Sequence, residues 1–138
     1  MREFLFIGKR VDNSEWVEGF LWKKKYDTNK LFISCFPDKD DNEEVFAIDP
    51  ETACQYTGLL DRNNKKLFEG DIVKVCRGVD IDTGYVFYDE RIGAYIIRIN
   101  DTECLTLIDY FLAKQKDDRI WIEIIGNIHD NRALLKMR

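Results

Sequence analysis

The segment from Pro50 to Val75 constrains the fold more than any other part of this sequence. It places apolar stretches on either side of a polar turn, Asp61-Arg62-Asn63-Asn64, whose Asp and Asn side chains readily bond nearby backbone groups. A second bend, Glu69-Gly70-Asp71, leads into the apolar run Ile72–Cys76, and Gly70 can adopt the positive φ angle that such a bend needs. We therefore predict short β-strands joined by tight turns over this segment.

Most of the remaining sequence follows the same pattern of short β-branched and aromatic runs between turn residues, which favours an all-β-dominated fold over an α/β fold. In the run from Glu15 to Trp22, a regular strand would place Trp16, Phe20 and Trp22 on one face, with Gly19 marking a bulge or a close backbone approach. The other predicted strands are Phe4–Gly8, Lys30–Phe36, Val45–Ile48, Gly84–Asp89, Tyr95–Asn100 and Arg119–Ile125.

One longer helix is predicted over Cys104–Gln115. Its apolar residues recur at i, i+3 and i+4, which is the spacing of an apolar helix face, and Asp101-Thr102 offer an N-cap. The residues of that face are Leu105, Ile108, Phe111 and Leu112. A short helix is predicted at Asn131–Lys136.

We predict a mainly β protein in one 138-residue domain with two parts. Residues 1–54 form a small N-terminal β subdomain. Residues 55–138 form an SH3-like barrel subdomain, with one inserted helix and a short C-terminal helix.

Composition limits the location and the partners. Charged residues make up 34% of the chain and no apolar run approaches the length of a membrane span, while the N-terminus lacks the pattern of a signal peptide. We therefore expect a cytoplasmic protein. The net charge of −5 disfavours general binding to nucleic acids, which depends mainly on basic surfaces.

The sequence predicts neither a metal site nor a cofactor. The cysteines, Cys35, Cys54, Cys76 and Cys104, form no C-x-x-C pair, so we expect reduced, buried thiols. His129 is the only histidine, and it is expected in a partly exposed loop. The acidic run Asp38–Glu44 resembles a calcium loop in spacing, but Glu43 stands where that loop needs glycine, so we expect a solvated loop.

Three blocks of the sequence resemble the YopX-like proteins of phages and prophages. They are Ile7–Gly19, the signature from Gln55-Tyr56-Thr57-Gly58-Leu59 to Phe68-Glu69-Gly70-Asp71-Ile72-Val73, and Ile125–Asn131. This resemblance implies a phage or prophage gene product with an SH3-like barrel and a tendency to self-associate. It implies no catalytic residues.

We therefore expect a non-enzymatic accessory protein that binds a protein partner or itself as a homo-oligomer. The candidate binding residues are Tyr56, Trp22, Lys23, Lys24 and Lys25, and Trp16 and Trp121 are further aromatic residues to inspect for an exposed patch.

Two alternatives remain open. A nucleic-acid-binding module would use the lysine tip Lys23–Lys25, whose flanking aromatic residues suit single strands. A small hydrolase would use the carboxylates Asp61, Glu69 and Asp71 as general acid and base, although turn chemistry explains the same residues.

Overall fold

The structure is a computed structural model that describes residues 3–36, 42–100 and 103–135. It is mainly β, with two antiparallel sheets, and its chain divides into two compact units, Met1–Tyr56 and Thr57–Arg138. The acidic run predicted as a solvated loop lies largely outside the described residues, as does the predicted N-cap at Asp101-Thr102. Within the described residues, no helix has the length and apolar character needed to cross a membrane.

The first unit is an antiparallel meander. Its strands are β1 (Phe6–Lys9), β2 (Trp16–Lys24), β3 (Asp27–Cys35) and β4 (Glu44–Ile48), in the order β4-β3-β2-β1. β5 (Cys54–Leu60) then adds to β1 through Cys54 and Gln55. A single bridge between Arg10 and Ile48 links the end of β4 to the residue after β1.

Gly19 is required where β2 lies against β3. A Cβ atom at this position would overlap the backbone carbonyl oxygen of Ser34, so a close approach, not a bulge, explains this glycine. A short 3-10 helix, Pro50–Thr52, follows β4 and is capped by the Asp49 side chain, which accepts from the Glu51 N–H. The Thr52 hydroxyl accepts a hydrogen bond from the backbone of Lys9 and thereby ties this turn to β1.

The second unit holds a five-stranded sheet. The latter half of β5 leads to β6 (Lys66–Phe68), and the sheet follows in the order β10-β9-β8-β7-β11. Its strands are β7 (Asp71–Arg77), β8 (Ile81–Asp89), β9 (Ala94–Arg98), β10 (Cys104–Thr106) and β11 (Ile120–Asn127). The helix α1 (Leu107–Lys116) stands between β10 and β11, and a 3-10 helix, Arg132–Leu135, follows β11.

The predicted SH3-like barrel is not seen in the described part of the chain, because its edge strands β10 and β11 are not hydrogen-bonded to each other. The core instead joins the sheet to the helix. Leu107 and Tyr110 of α1 pack with buried residues of the strands and loops, which are Leu67, Val73, Val75, Val86, Ile97, Ile99 and Ile122. Helix packing therefore provides the cover that closure into a barrel would otherwise give.

The prediction for α1 was wrong about its start, and the apolar face that it named is not the buried one. Residues 104–106 are strand β10, and Thr106 is the N-cap, its hydroxyl accepting from the Asp109 N–H. Leu107 and Tyr110 are buried, whereas Ile108, Phe111 and Leu112 are exposed. The apolar periodicity is real, but it lies on the solvent side of the helix.

Candidate functional site

A cluster of four aromatic residues covers one face of the first unit; we call Phe20, Trp22, Phe32 and Phe36 the aromatic face. Trp22 stacks on Phe32 across the β2–β3 pair, with ring centroids 4.6 Å apart and planes 20° apart. Phe20 meets Phe36 edge to face at 6.2 Å. Phe20, Trp22 and Phe36 remain 51%, 38% and 47% exposed, so much of this face is open to solvent.

The register of β2 and β3 produces this face. Phe20 lies opposite Ser34 and Trp22 opposite Phe32, so side chains two residues apart project to the same side. The indole N–H of Trp22 donates to the Ser34 hydroxyl at 2.8 Å, which fixes the ring and satisfies a buried hydroxyl. This hydrogen bond and the stacking on Phe32 hold the Trp22 ring in place.

The lysine tip adds positive charge at one end of the aromatic face. Lys23, Lys24 and Lys25 are all exposed, and the Lys24 ammonium lies 5.8 Å from the ring centroid of Phe32. Tyr26, at the turn between β2 and β3, is 90% exposed. This end of the surface suits a partner group that is aromatic, negatively charged, or both.

The remaining aromatic candidates are Tyr56, Trp16 and Trp121. Tyr56 is half-buried on β5, which β1 separates from β2 in the strand order, and its backbone N–H donates to the carbonyl of Leu5. Trp16 is half-buried beside Lys9, and Trp121 on β11 has the guanidinium of Arg62 4.0 Å from its ring. Of the predicted binding residues, the structure joins Trp22 and the lysine tip only.

Asp61 is buried and serves the backbone. Its carboxylate accepts from the N–H groups of Asn63, Lys65 and Ile124 at 2.8, 2.9 and 3.0 Å. Burial disfavours the charged form, but these three donors and the charge of Lys65 outweigh it and hold the pKa of Asp61 below its ordinary value. The residue closes its own turn and ties it to β11.

Asp71 is buried in a less favourable environment. One carboxyl oxygen accepts from the Phe68 N–H at 2.8 Å, across the bend in which Gly70 has a φ of 86°. Burial raises the pKa of Asp71 to about 7, and the negative charge of Asp61 acts in the same direction. The hydrogen bond from Phe68 lowers the pKa and offsets only part of this shift. Glu69, the third predicted carboxylate, is half-buried in the same bend.

These two carboxyl groups have divergent pKa values, as an acid–base pair does. However, both are more than nine-tenths buried; Asp61 accepts from two backbone N–H groups of its own turn, and Asp71 accepts from the backbone N–H of Phe68. Hydrogen bonding of this kind accounts for them without a substrate.

The cysteines and the histidine form no recognisable site. All four cysteines are free; Cys54 and Cys76 are buried and Cys35 is half-buried, but Cys104 is exposed, contrary to the prediction. His129 is half-buried in the turn after β11, where its backbone N–H donates to the Asn127 side-chain oxygen. Within residues 3–36, 42–100 and 103–135, no cluster of His, Cys, Asp or Glu could hold a metal ion.

An apolar pocket of about 330 Å³ lies beside α1 in the second unit, and the sequence analysis did not predict it. β5, β9 and α1 line it with Thr57, Leu59, Ala94, Tyr95, Leu107, Ile108 and Phe111. The hydroxyl of Thr57 is already engaged, since it donates to the Leu67 carbonyl and accepts from the Leu59 N–H. The sequence signal for this pocket is the apolar spacing of Ile108 and Phe111, which line it from the exposed side of α1.

Comparison with known proteins identifies the family. A comparison with curated proteins gave no match. The family model described as YopX protein matches residues 6–136, which is nearly the whole chain. The chain therefore belongs to the YopX family.

Proposed function

We propose that this YopX-family chain is a non-enzymatic binding module that engages a protein partner through the aromatic face. The observation that carries the proposal is the exposure of Phe20, Trp22 and Phe36 together on one sheet face. Clustered aromatic residues of this kind are typical centres of protein interfaces, because they bury large areas with little loss of side-chain entropy. The family resemblance implies a phage or prophage gene product, and we propose from the composition that it acts in the host cytoplasm.

The chemistry of the surface also describes the partner. Phe20 and Phe36 can pack against aliphatic or aromatic side chains of a partner, whereas the lysine tip can attract carboxylates of the partner at one end of the face. The partner that fits is therefore an apolar protein segment flanked by acidic residues.

The first test compares variants of the full chain as bait in a bacterial host during phage infection or prophage induction. Phe20→Ser removes an exposed ring while leaving the Trp22–Ser34 hydrogen bond intact, and Val79→Ser is the matched control, since Val79 is 86% exposed in the second unit. We expect a protein partner to co-purify in stoichiometric amount and to stay bound at high salt. The Val79→Ser variant should retain this partner, and the Phe20→Ser variant should lose it. A partner bound equally by both variants would contradict this proposal.

Direct binding follows with the purified partner. Lys24→Glu should weaken its association and make it less dependent on salt, because the lysine tip then no longer attracts carboxylates. If neither Phe20→Ser nor Lys24→Glu changes the affinity, the partner does not bind at this surface.

The second candidate, single-stranded nucleic acid, is favoured by one observation: exposed rings stand beside lysines at the tip, where Tyr26 and Lys24 lie. If the tagged chain recovers nucleic acid at low salt and releases it at high salt, nucleic acid and not a protein is the partner. Charge reversal of Lys23–Lys25 to Glu should then abolish the binding.

A further inference from the structure

The outer edge of strand β11 is covered by groups that belong to no strand. Within the described part of the chain, β11 pairs only with β7, so its other side is an edge of the five-stranded sheet. Alternate residues of a strand direct their backbone groups to the same edge, and Ile120, Ile122 and Ile124 direct theirs away from β7. The backbone groups of these three residues are nevertheless hydrogen-bonded.

Helix α1 and the turn after it cover the first half of this edge. The Ile120 N–H donates to the Asp117 carbonyl at 3.2 Å, and the Ile120 carbonyl accepts from the Lys114 ammonium at 3.1 Å. The backbone of Ile122 hydrogen-bonds the buried side chain of Tyr110. A strand that approached from this side would first have to displace these contacts.

The turn at residues 61–64, which we call the Asp61 turn, covers the second half of the edge. The Arg62 N–H donates to the Ile122 carbonyl at 2.8 Å. The Asp61 carboxylate accepts from the Ile124 N–H at 3.0 Å. The turn thus supplies both a donor and an acceptor, as a neighbouring strand would.

The sequence of β11 makes an open edge hazardous. Residues 120–125 read Ile-Trp-Ile-Glu-Ile-Ile, a run of β-branched and aromatic side chains with one charge and no proline. Runs of this composition pair readily with other strands, and native proteins often cover such edges with a helix or a loop. The backbone groups that α1 and the Asp61 turn occupy are the ones at which pairing with another chain would begin.

We propose that α1 and the Asp61 turn form an autoinhibitory cover on β11, and that β11 pairs with β11 of a second copy when this cover is removed. The Ile122 carbonyl lies at the middle of the edge, so the Arg62 N–H that occupies it is the central contact of the cover. The cover prevents this mode of pairing in the native chain. It does not depend on the aromatic face or on the partner proposed for that face.

The first experiment compares two substitutions of Arg62. Arg62→Pro removes the N–H that bonds Ile122, but proline is favoured at the second position of a turn such as Asp61–Asn64, so the turn still forms. Arg62→Ala keeps this N–H and is the matched control. By analytical ultracentrifugation, Arg62→Pro should give species of at least twice the wild-type mass that increase with concentration, and Arg62→Ala should match the wild type. Equal sedimentation of all three proteins would overturn the proposal.

Lysine substitutions separate edge pairing from unfolding. Trp121 lies on the opposite face of β11 from the buried Ile122, so Trp121→Lys places a charge beside the edge and opposes pairing without entering the core. Val79→Lys adds the same charge at an exposed position outside β11. In the Arg62→Pro background, Trp121→Lys should restore wild-type sedimentation and Val79→Lys should not. Assemblies that persist with Trp121→Lys, or that both lysines abolish, would refute pairing through β11.

Lys114→Met tests the other end of the edge without changing a turn. It removes the donor to the Ile120 carbonyl and keeps a long, unbranched side chain on α1. It should give the same larger species as Arg62→Pro while circular dichroism shows a folded chain, whereas Lys116→Met, at an exposed position on α1, should match the wild type. Wild-type sedimentation of Lys114→Met would contradict the role of α1 in the cover.

Discussion

Asp71 should make the stability of this protein fall as pH rises from mildly acidic to neutral. The residue is 7% exposed, and burial raises the pKa of its carboxyl group from the ordinary value of 3.8 to about 7. Well below pH 3.8 the group is protonated in both the folded and the unfolded chain, so it carries no penalty. As pH rises, the unfolded chain releases the proton while the folded chain retains it, and unfolding becomes easier.

The magnitude follows from the same pKa values. The interval from 3.8 to about 7 corresponds to about 4 kcal/mol, at about 1.4 kcal/mol per pH unit. Asp71→Asn removes the titration and keeps an oxygen that can accept from the Phe68 N–H. The free energy of unfolding of Asp71→Asn should therefore rise relative to the wild type between about pH 4 and pH 7, and the difference should be constant above that range.

Urea denaturation at a series of pH values measures this difference, and an exposed aspartate, Asp118, provides the control variant Asp118→Asn. If the amide of Asp71→Asn fits poorly, the free energy of unfolding of this variant changes by the same amount at every pH. The part of the difference that varies with pH therefore comes from the titration of Asp71. Identical pH dependence in the wild type and Asp71→Asn would refute the argument that burial protonates this residue.

Three further predictions concern the first unit, the Asp61 turn and the thiols. Asp61→Ala should lower the free energy of unfolding by about 3 kcal/mol at neutral pH, and more than Asp61→Asn, because three backbone N–H groups lose a charged acceptor. Gly19→Ala should destabilise the first unit by about 2 kcal/mol in urea denaturation, since its methyl group meets a backbone carbonyl that cannot move aside cheaply. In the native protein Cys104 should react first with a thiol reagent, while Cys54 and Cys76 react only on unfolding.

Each of these has a clear contrary result. Equal effects of Asp61→Ala and Asp61→Asn would mean that the carboxylate does not hold the turn. Gly19→Ala should be compared with Asn29→Ala at an exposed position on β3, and equal stability of the two would remove the close-approach argument. Cys104→Ser should abolish the fast thiol reaction, and its persistence would place the reactive thiol elsewhere.

Local chemistry was sufficient to predict the turns from the sequence. Gly70 and Asn64 both adopt positive φ angles, as expected of residues that tolerate the left-handed region, and Asp61 bonds the backbone two and four residues ahead. The alternation in β2 also placed Phe20 and Trp22 on one face correctly. These features depend on neighbours a few residues apart, so no tertiary information is needed.

Tertiary packing alone decided which apolar faces are covered. The spacing of Ile108, Phe111 and Leu112 shows that they share a side of a helix, but Leu107 and Tyr110 form a second side, and only the sheet beneath α1 selects between the two. The raised pKa of Asp71 likewise arises from burial beside Asp61, ten positions away in sequence. Sequence fixes periodicity and turn chemistry because these are local, whereas burial depends on contacts between distant strands and the helix.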